Sequence, residues 1–408
     1  MENKSLPQNW KIKPMPEVVK WGSGGTPKAT ERSYYENGTI PWLIIGDLND
    51  GIVTKSQSKI TELGLANSSA KLIPSGTLMV AMYGSIGKLG ISGMECCTNQ
   101  AIAFAKELYN VIPKYMFYYM SFVKPTLISM GKGGTQKNIS QTVLRSLNVI
   151  VPPIEEQQYI VSRIKELFSE LDKGVETLQT IKEQLTVYRQ AVLKEEFDRA
   201  GENKSELEEI IEKPRYGTSK KCSSDAEEMA IPVYRIPNIN YSQGIISHND
   251  LKYASFAEDE LSALKLKVGD ILIIRSNGSV SLVGRTAVVS KRDIGGLFAG
   301  YLMRLRIKVE KKVLPQYLNL YLNTHYARNQ IEMMAKSTSG VNNINATEIC
   351  QIKIPICDID LQKEIIEAIE SKLSLCDSIE QTVDTALAQA EAMRQSILKK
   401  AFEGELCK

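Results

Sequence analysis

The sequence predicts an α+β protein in which two mixed α/β domains are separated by two long helices that pair as an antiparallel coiled coil, with a pseudo-two-fold internal repeat. Three observations carry this prediction: a repeat with a constant offset, two proline-free stretches with a heptad pattern, and runs of β-branched residues between them. A chain of 408 residues is also long enough for more than one domain of ordinary size.

The repeat is clearest in two nonapeptides, RQAVLKEEF at 189–197 and RQSILKKAF at 394–402, which lie 205 residues apart. The same offset relates Gln157 to Gln362. Further pairs at this offset are Asn138 with Asn343, Ile139 with Ile344, Ile164 with Ile369 and Asp172 with Asp377. A constant offset over this span indicates duplicated elements of fixed length.

Each copy contains a long helical stretch, because no proline occurs between Pro153 and Pro214 or after Pro355. In the first copy the predicted seam is Ile164, Leu171, Leu178, Leu185 and Val192, with Leu167, Ile181 and Tyr188 interleaved. In the second copy it is Ile369, Cys376, Val383, Ala390 and Ile397, with Ile379, Ala386 and Met393 interleaved. A helix of ~60 Å needs a partner for its apolar seam, so we expect the two helices to pair with each other. The alternatives are that each helix packs on its own domain or on another protein.

The segments between the helices contain strand-like runs such as TLMVAM at 77–82 and DILIIR at 270–275. The predicted organisation is therefore a domain over 1–154, a helix over 155–205, a second domain over 206–357 and a second helix over 358–408. Their net charges are +7, −3, +4 and −5. Two basic domains joined by acidic spacers are typical of polyanion-binding units, although charge asymmetry can also arise by chance.

The composition and motifs do not fit several other classes of protein. No apolar run approaches a membrane span and the start MENKSLPQNWK lacks the apolar core of a signal peptide, so we expect a cytoplasmic protein. Seven cysteines without a CxxC pair and two isolated histidines predict no metal site and no catalytic residue. The string GSIGKL at 84–89 lacks P-loop spacing, and VPPI at 151–154 lacks the polar and aromatic groups of an amino-methyltransferase motif. The chain is predicted to bind rather than to catalyse.

Polar loops supply the candidate contacts to nucleic acid, since Arg, Lys, Asn and Gln read base edges while Ser and backbone amides hold phosphates. The candidates in the first domain are Lys28, Arg32, Tyr83, Lys88, Lys132, Gln136, Lys137, Asn138 and Ser140. Those in the second domain are Arg215, Lys220, Lys221, Arg235, Asn238, Arg275, Asn277, Arg285, Asn342, Asn343 and Asn345. The competing interpretation of the loops at 131–140 and 337–348 is a polar turn or a structural cap.

The whole pattern resembles the specificity subunits of type I restriction–modification systems, over essentially the full chain. The resemblance rests on GGTP (24–27), GTIPW (38–42), GTQKNIS (134–140), VPPIEEQQYIV (151–161) and RQSILKKAFEGEL (394–406). The second copy departs from it, because it reads PICDIDLQKE at 355–364 and has no obvious GGTP.

The resemblance implies a non-catalytic subunit whose two target-recognition domains each bind one half of a bipartite double-stranded DNA target. It also implies that the helices set the half-site spacing and dock two methyltransferase subunits and the restriction (motor) subunits. S-adenosylmethionine, ATP and magnesium would then belong to those partners, with no cofactor in this chain. Candidate contacts to the partners are Arg189, Gln190, Lys194, Arg394, Gln395 and Lys399. A hypothesis from another class is a coiled-coil adaptor with two protein-binding domains.

Overall fold

A computed structural model describes residues 6–133, 137–224, 230–338 and 341–407. The chain forms two compact units: the first runs to Leu178 and resumes at Thr385, and the second comprises Gln179–Asp384. Each unit contains one mixed α/β domain together with part of each long helix. Within the described ranges, no helix is long and apolar enough to cross a membrane.

The strands of the first unit are short, apart from a longer strand that begins at Ile102. They are β1 Lys11–Pro14, β2 Val19–Ser23, β3 Ile40–Leu43, β4 Gly51–Val53, β5 Ser58–Ile60, β6 Leu78–Ala81, β7 Leu89–Ser92, β8 Cys97–Thr98, β9 Ile102–Leu108 and β10 Asn148–Val151. They form a five-stranded sheet in the order β2-β9-β6-β7-β4, a three-stranded sheet β5-β3-β8 and a pair β1-β10. Neighbours are antiparallel except β4 with β7 and β3 with β8. Every residue of β6 and β7 is buried, which explains why neither strand alternates apolar residues with charged ones.

The helices of the first unit are α1 Glu62–Ala66, α2 Pro113–Met130, α3 Gln141–Arg145 and the beginning of the long helix α4 Ile154–Asp198. Helix α2 starts with Pro113, whose missing N–H costs nothing in a first turn. Two of its buried tyrosines anchor it to β10: Tyr115 donates to the Ile150 carbonyl and Tyr119 to the Asn148 carbonyl, both at 2.8 Å. The aromatic run of α2 therefore serves the core of the unit.

The second unit repeats this arrangement. Its strands are β11 Lys204–Glu206, β12 Arg215–Tyr216, β13 Ile231–Tyr234, β14 Ile239–Asn240, β15 Ile245–Ile246, β16 Lys252–Ala254, β17 Ile271–Ile274, β18 Ser276–Asn277, β19 Thr286–Val288, β20 Leu297–Phe298, β21 Leu302–Leu305, β22 Lys336–Thr338, β23 Val341–Asn343 and β24 Lys353–Pro355. The sheet β12-β21-β17-β19-β15-β14 reproduces the five-stranded order of the first unit and adds β14. The sheet β16-β13-β20 and the pair β11-β24 match β5-β3-β8 and β1-β10, and β18-β23-β22 forms a further small sheet. The predicted internal repeat of two mixed α/β domains is confirmed.

The helices of the second unit are α5 Leu207–Ile210, α6 Glu258–Leu264, α7 Pro315–Leu322, α8 His325–Met334, α9 Ala346–Cys350 and the first part of α10 Ile359–Phe402. Helix α7 corresponds to α2 in its anchoring. Tyr317 donates to the Pro355 carbonyl and Tyr321 to the Lys353 carbonyl, both at 3.0 Å.

Helices α4 and α10 pack against each other in both units. In the first unit Arg394 of α10 pairs with Asp172 of α4. In the second unit Lys182 lies 2.7 Å from Asp384, and further along α4 Glu196 accepts from Lys372 at 2.8 Å. Residue numbers rise on α4 as they fall on α10, so the predicted antiparallel pairing is confirmed.

Seven of the ten predicted heptad positions are buried and Leu171, Leu178 and Ile397 are half-buried, but part of the interleaved line is wrong. Tyr188, Ile379 and Met393 are 48%, 38% and 55% exposed. The second line instead lies four residues after each heptad position, where Arg189 and Arg394 make ion pairs with the opposite helix. Because several residues on this line are charged, a search for apolar residues selects their exposed neighbours instead.

Candidate nucleic-acid interface

A row of four backbone segments lies side by side at one edge of the first unit. The Gly25 N–H donates to the Thr98 carbonyl at 2.9 Å, and Met82 N–H donates to the Ala101 carbonyl at 2.8 Å. The Ile139 N–H then donates to the Met82 carbonyl at 2.8 Å. We call the segments 24–28, 82–84, 98–101 and 137–139 the first polar edge.

The second unit contains the same row. Thr218 N–H donates to the Phe298 carbonyl, Arg275 N–H to the Tyr301 carbonyl and Ile344 N–H to the Arg275 carbonyl, each at 2.9 Å. We call the segments 216–220, 275–277, 298–301 and 342–344 the second polar edge. The two edges have the same backbone arrangement but different side chains.

The structure also identifies the second copy of the GGTP segment, which the sequence comparison missed. A Cβ at Gly24 would lie 1.9 Å from the Thr98 carbonyl oxygen, and one at Gly217 would lie 2.3 Å from that of Ala299. Both positions therefore require glycine, because a neighbouring strand end occupies the space of a side chain. The string Gly217-Thr218 is the counterpart, and it is too short to be recognised without its neighbours.

Several predicted residues meet at the first polar edge. Tyr83 is 40% exposed and forms a β-bridge with Asn138, whose Oδ1 accepts from the Gly84 N–H at 3.2 Å. Lys132 and Lys137 are exposed on the same loop. Gln136, also predicted here, lies outside the described residues.

Other predicted residues of the first unit have local partners. Ser140 is the N-cap of α3 and accepts from the Val143 N–H at 3.4 Å, which is the capping role that the sequence left open. Lys28 and Arg32 are both exposed, and Lys28 lies 3.5 Å from Glu31. Lys88 is half-buried, with its Nζ 3.4 Å from the Ile45 carbonyl.

The centre of the second polar edge is Arg275. Its guanidinium lies 4.9 Å from the ring centroid of Tyr216 and donates to the Gly300 carbonyl at 3.1 Å. Within the described part of the chain, Arg275 Nε and the nearby Asn343 Oδ1 are buried without a hydrogen-bond partner. Buried polar atoms without partners are costly, and they are typical of places where a ligand completes the bonding.

The neighbouring asparagines shape this edge. Asn277 accepts from the Ser279 N–H at 2.8 Å, and Asn342 donates to the Gly278 carbonyl at 3.0 Å. Asn345 is the N-cap of α9 and accepts from the Glu348 N–H at 2.9 Å. These bonds fix the turns that carry Arg275 and Asn343.

Asn238, Arg235 and Arg285 were also predicted in the second unit, and each contacts residues other than Arg275. Asn238 is fully buried, accepts from the Arg235 N–H and donates to two carbonyls, so its side chain has no free hydrogen-bonding group for DNA. Arg235 pairs with Asp250 at 2.9 Å. Arg285 stacks on Tyr241 at 4.7 Å, and burial lowers the pKa of its guanidinium.

Three further cations of the second unit are exposed: Arg215, Lys220 and Lys221. Lys220 lies 3.3 Å from Glu260 and 4.9 Å from the ring centroid of Phe256.

The predicted partner-binding residues at the helix ends divide into two groups. Arg189, 21% exposed, pairs with Asp377 and Glu380 of the opposite helix, and Arg394 pairs with Asp172, so both arginines are used in the helix pairing. The group that faces outward or lies half-exposed is Gln190, Lys194, Gln395 and Lys399.

Lys124 and Tyr216 lie in these regions although the sequence did not single them out. Lys124 is on α2 beside Lys88, and its counterpart on α8 is Arg328 at an offset of 204. A search for basic residues kept in both copies could have found this pair. Among the described residues, no group of three or more His, Cys, Asp or Glu side chains could hold a metal ion.

A family model described as the type I restriction modification DNA specificity domain matches residues 7–186 and again residues 201–389. The chain belongs to this family. The two matches contain one polar edge each. The predicted resemblance to type I specificity subunits is thereby confirmed, and the DNA-recognition role follows from the family.

Two relatives are similar to nearly the whole chain. The specificity subunit of type I restriction enzyme EcoKI from Escherichia coli (strain K12) is 26% identical over 423 residues, which are 98% of this chain and 90% of that protein. The StySPI specificity subunit from Salmonella potsdam is 26% identical over 428 residues, 100% of this chain and 91% of that protein. Specificity subunits are the non-catalytic members of these enzymes, as was predicted for this chain.

The fold is also found in a solved structure described as the structural basis of complex assembly and conformational transition of the type I R-M system. A chain of that structure superposes with a TM-score of 0.74 at 17% identity, covering 99% of this chain and 100% of that chain. This likeness supports the α+β architecture with its paired long helices.

Proposed function

We propose that this specificity subunit binds a bipartite duplex DNA target, with each polar edge contacting one half-site. The single observation that carries the proposal is the repeated edge: both units hold the same four segments in the same hydrogen-bonded row, yet present different side chains. Duplication of a backbone with divergence of its side chains suits a protein that must read two different short sequences.

The chemistry of the second edge supports base contacts. An arginine offers a fork of N–H donors that matches the O6 and N7 acceptors of guanine, and an asparagine offers a donor and an acceptor to adenine. Arg275 stacks on Tyr216 and keeps most of its donors for a ligand. Asn343 Oδ1 is a buried acceptor in need of a donor.

The two long helices are proposed to set the half-site spacing and to dock the partner subunits. Exposed apolar side chains lie on both helices in the second unit: Val187 and Tyr188 on α4, Leu375 and Ile379 on α10. Leu375 is 61% exposed and Val187 71% exposed, so a protein partner would remove considerable apolar surface from water.

The partners proposed are two methyltransferase subunits and the restriction (motor) subunits. S-adenosylmethionine, ATP and magnesium are proposed to bind to those subunits, and the complex is proposed to act on DNA in the cytoplasm. This chain would then contribute recognition and assembly.

The test is selection of duplexes from a randomised DNA library by the full chain assembled with methyltransferase subunits, at low salt. The proposal expects a split motif with an unspecified spacer. Enrichment of no sequence, together with negligible DNA affinity, would instead favour a coiled-coil adaptor with two protein-binding domains.

A further inference from the structure

A basic cleft opens beside the first polar edge, between the turn after β6, helix α2 and Lys137. Its lining includes Asp50, Ile86, Lys88, Lys124 and Lys137. Three lysines from three separate elements thus surround a single carboxylate.

The walls of this lysine cleft are packed together. Gly87 has a φ of +72°, and a Cβ there would lie 2.9 Å from Lys124 Cγ, so the lysine stem rests on the turn. A Cβ at Gly131 would lie 2.6 Å from Ile86 Cδ1 and 3.3 Å from Lys137 Cβ. The Lys124 stem and the start of the Lys137 side chain are therefore packed against the backbone of the cleft wall.

The charge within the lysine cleft is only partly balanced. Lys124 Nζ lies 3.1 Å from Asp50 Oδ2, and the other oxygen of that carboxylate accepts from the Leu89 N–H at 2.7 Å. Lys88 Nζ has a carbonyl at 3.4 Å, and Lys137 is exposed. One carboxylate faces three cations, which leaves the cleft suited to an anion.

The equivalent place in the second unit is closed by its own side chain. Arg328 of α8 packs against the turn at Gly284, as Lys124 packs against the turn at Gly87. The Arg328 side chain is only 8% exposed. It donates to the carbonyls of Val280, Ser281 and Val283 in the turn. Arg328 therefore holds its own turn in place and is not presented to a ligand.

We propose that the lysine cleft binds a phosphate group of the DNA backbone as a sequence-independent anchor, and that the equivalent place in the second unit, which Arg328 fills, does not. The inference rests on the proposed function, because it concerns how the first unit holds DNA. Phosphate contacts fix the position of a protein on the duplex, whereas base contacts select the sequence. The first unit would thus contribute more of the salt-dependent affinity than the second.

The experiment measures the affinity of the full chain for target and non-target duplexes by fluorescence anisotropy, from about 50 to 200 mM KCl. K88Q, K124Q and K137Q are each expected to reduce the magnitude of the slope of log affinity against log salt, by about 0.9 in total when the three are combined, and to weaken both duplexes equally. K124R should keep the wild-type slope, as should K71Q, which removes an exposed lysine outside the cleft. Asp50→Asn keeps an oxygen for the Leu89 N–H and removes the negative charge, so it should tighten binding to both duplexes.

Unchanged slopes in all three glutamine variants, with a wild type that binds DNA, would overturn the anchor and leave the proposed function standing. Loss of binding to the target duplex alone would make these lysines base-reading residues and would also overturn it. If a free nucleoside triphosphate displaces DNA at constant ionic strength, the cleft is a mononucleotide site and the anchor is overturned. A wild-type chain without salt-dependent DNA binding would contradict the proposed function together with the anchor.

Discussion

Gln157 and Gln362 are the residues that tie the start of each long helix to a domain. Both are fully buried. Gln157 accepts from the Ile112 N–H at 3.0 Å and donates to the carbonyls of Asn110 and Pro152. Gln362 makes the equivalent bonds with the Leu314 N–H and the carbonyls of Lys312 and Cys357. One amide therefore joins three chain segments in each unit.

Replacing Gln362 by alanine leaves one buried N–H and two carbonyls without their partner. Each unsatisfied buried group costs about 1–3 kcal/mol, so we expect Q362A to lower the free energy of unfolding by at least about 2 kcal/mol in urea denaturation. The matched control is Q190A, at an exposed position, which should stay within about 0.5 kcal/mol of wild type. Equal stability of Q362A and Q190A would mean that the buried amide is not needed to join the segments.

Asn345 distinguishes capping from base reading. Its side chain accepts from the Glu348 N–H, and Asp can make the same bond. We expect N345A to lose about 1 kcal/mol of stability and N345D to lose little. If N345A keeps its stability but changes the selected DNA sequence, Asn345 is a base contact and not a cap.

The sequence identifies equivalent residues, but it does not show which side chains already have their hydrogen bonds. The repeat directs attention to Asn138 and Asn343, which occupy equivalent positions in the two rows. Asn238 is polar and lies near Arg235, but its burial depends on the carbonyls of Ser247 and Asn249, which only the fold brings to it. A side chain's composition and neighbours in sequence do not reveal that its bonds are already made.

The duplicated nonapeptides at the ends of the two long helices make equivalent contacts with the domains. Phe197, near the end of α4, packs on Tyr317 and Tyr321 of the second unit at 5.1 and 5.2 Å between ring centroids. Phe402, at the end of α10, packs on Tyr115 and Tyr119 of the first unit at 5.4 and 5.1 Å. Each helix thus begins in the domain of its own copy and ends on the aromatic helix of the other copy. The sequence repeats because the docking contact repeats.

The charged line of the helix pairing gives a pH-dependent prediction at Glu196. Burial raises the pKa of this carboxyl, but hydrogen bonds from Lys372 and Arg199 outweigh burial and lower the pKa below its ordinary value of 4.5. A lowered folded-state pKa stabilises the protein above the unfolded-state pKa, and this contribution is lost as the pH falls through the folded-state value. We expect E196Q to be less stable than wild type at neutral pH, with the difference shrinking as the pH falls below the ordinary value.

The measurement is urea denaturation of both proteins across that pH range. The matched control is D384N, which removes an exposed partner of Lys182 and should change the free energy of unfolding less than E196Q does. A stability difference between E196Q and wild type that is independent of pH would contradict the assignment.

The existence and pairing of the helices follow from the heptad spacing, because period and length are properties of sequence alone. The heptad spacing does not show on which face of each helix the second line of the pairing lies. Residues such as Lys182 and Arg189 lie beside the seam with their charges paired to acidic residues of the opposite helix, and a polar residue is read from sequence as exposed. Helix ends are likewise set by backbone geometry, with Gly201 and Gly404 at φ +80° just beyond α4 and α10.

At the scale of the whole molecule, the proposed role of the helices as a spacer predicts an effect of their length. One heptad is ~10 Å of helix, about three base pairs of duplex. Deleting one heptad from both helices in register, around Leu178 and Val383, is expected to shorten the spacer between the selected half-sites or to abolish binding. An active deletion variant that selects the original spacer would contradict the proposed role, and circular dichroism would establish that the variant is folded.

The central claim is that each domain specifies its own half of a split DNA target. The most direct measurement is to map modified adenines in an unmethylated host that expresses this chain with methyltransferase subunits, and then to repeat it with a variant in which the first domain also replaces the second. Because the two copies form a pseudo-two-fold repeat, we predict a split motif of two different half-sites in the first case and an inverted repeat of one of them in the second. A variant that still selects both original half-sites, or modification without any split motif, would contradict the claim.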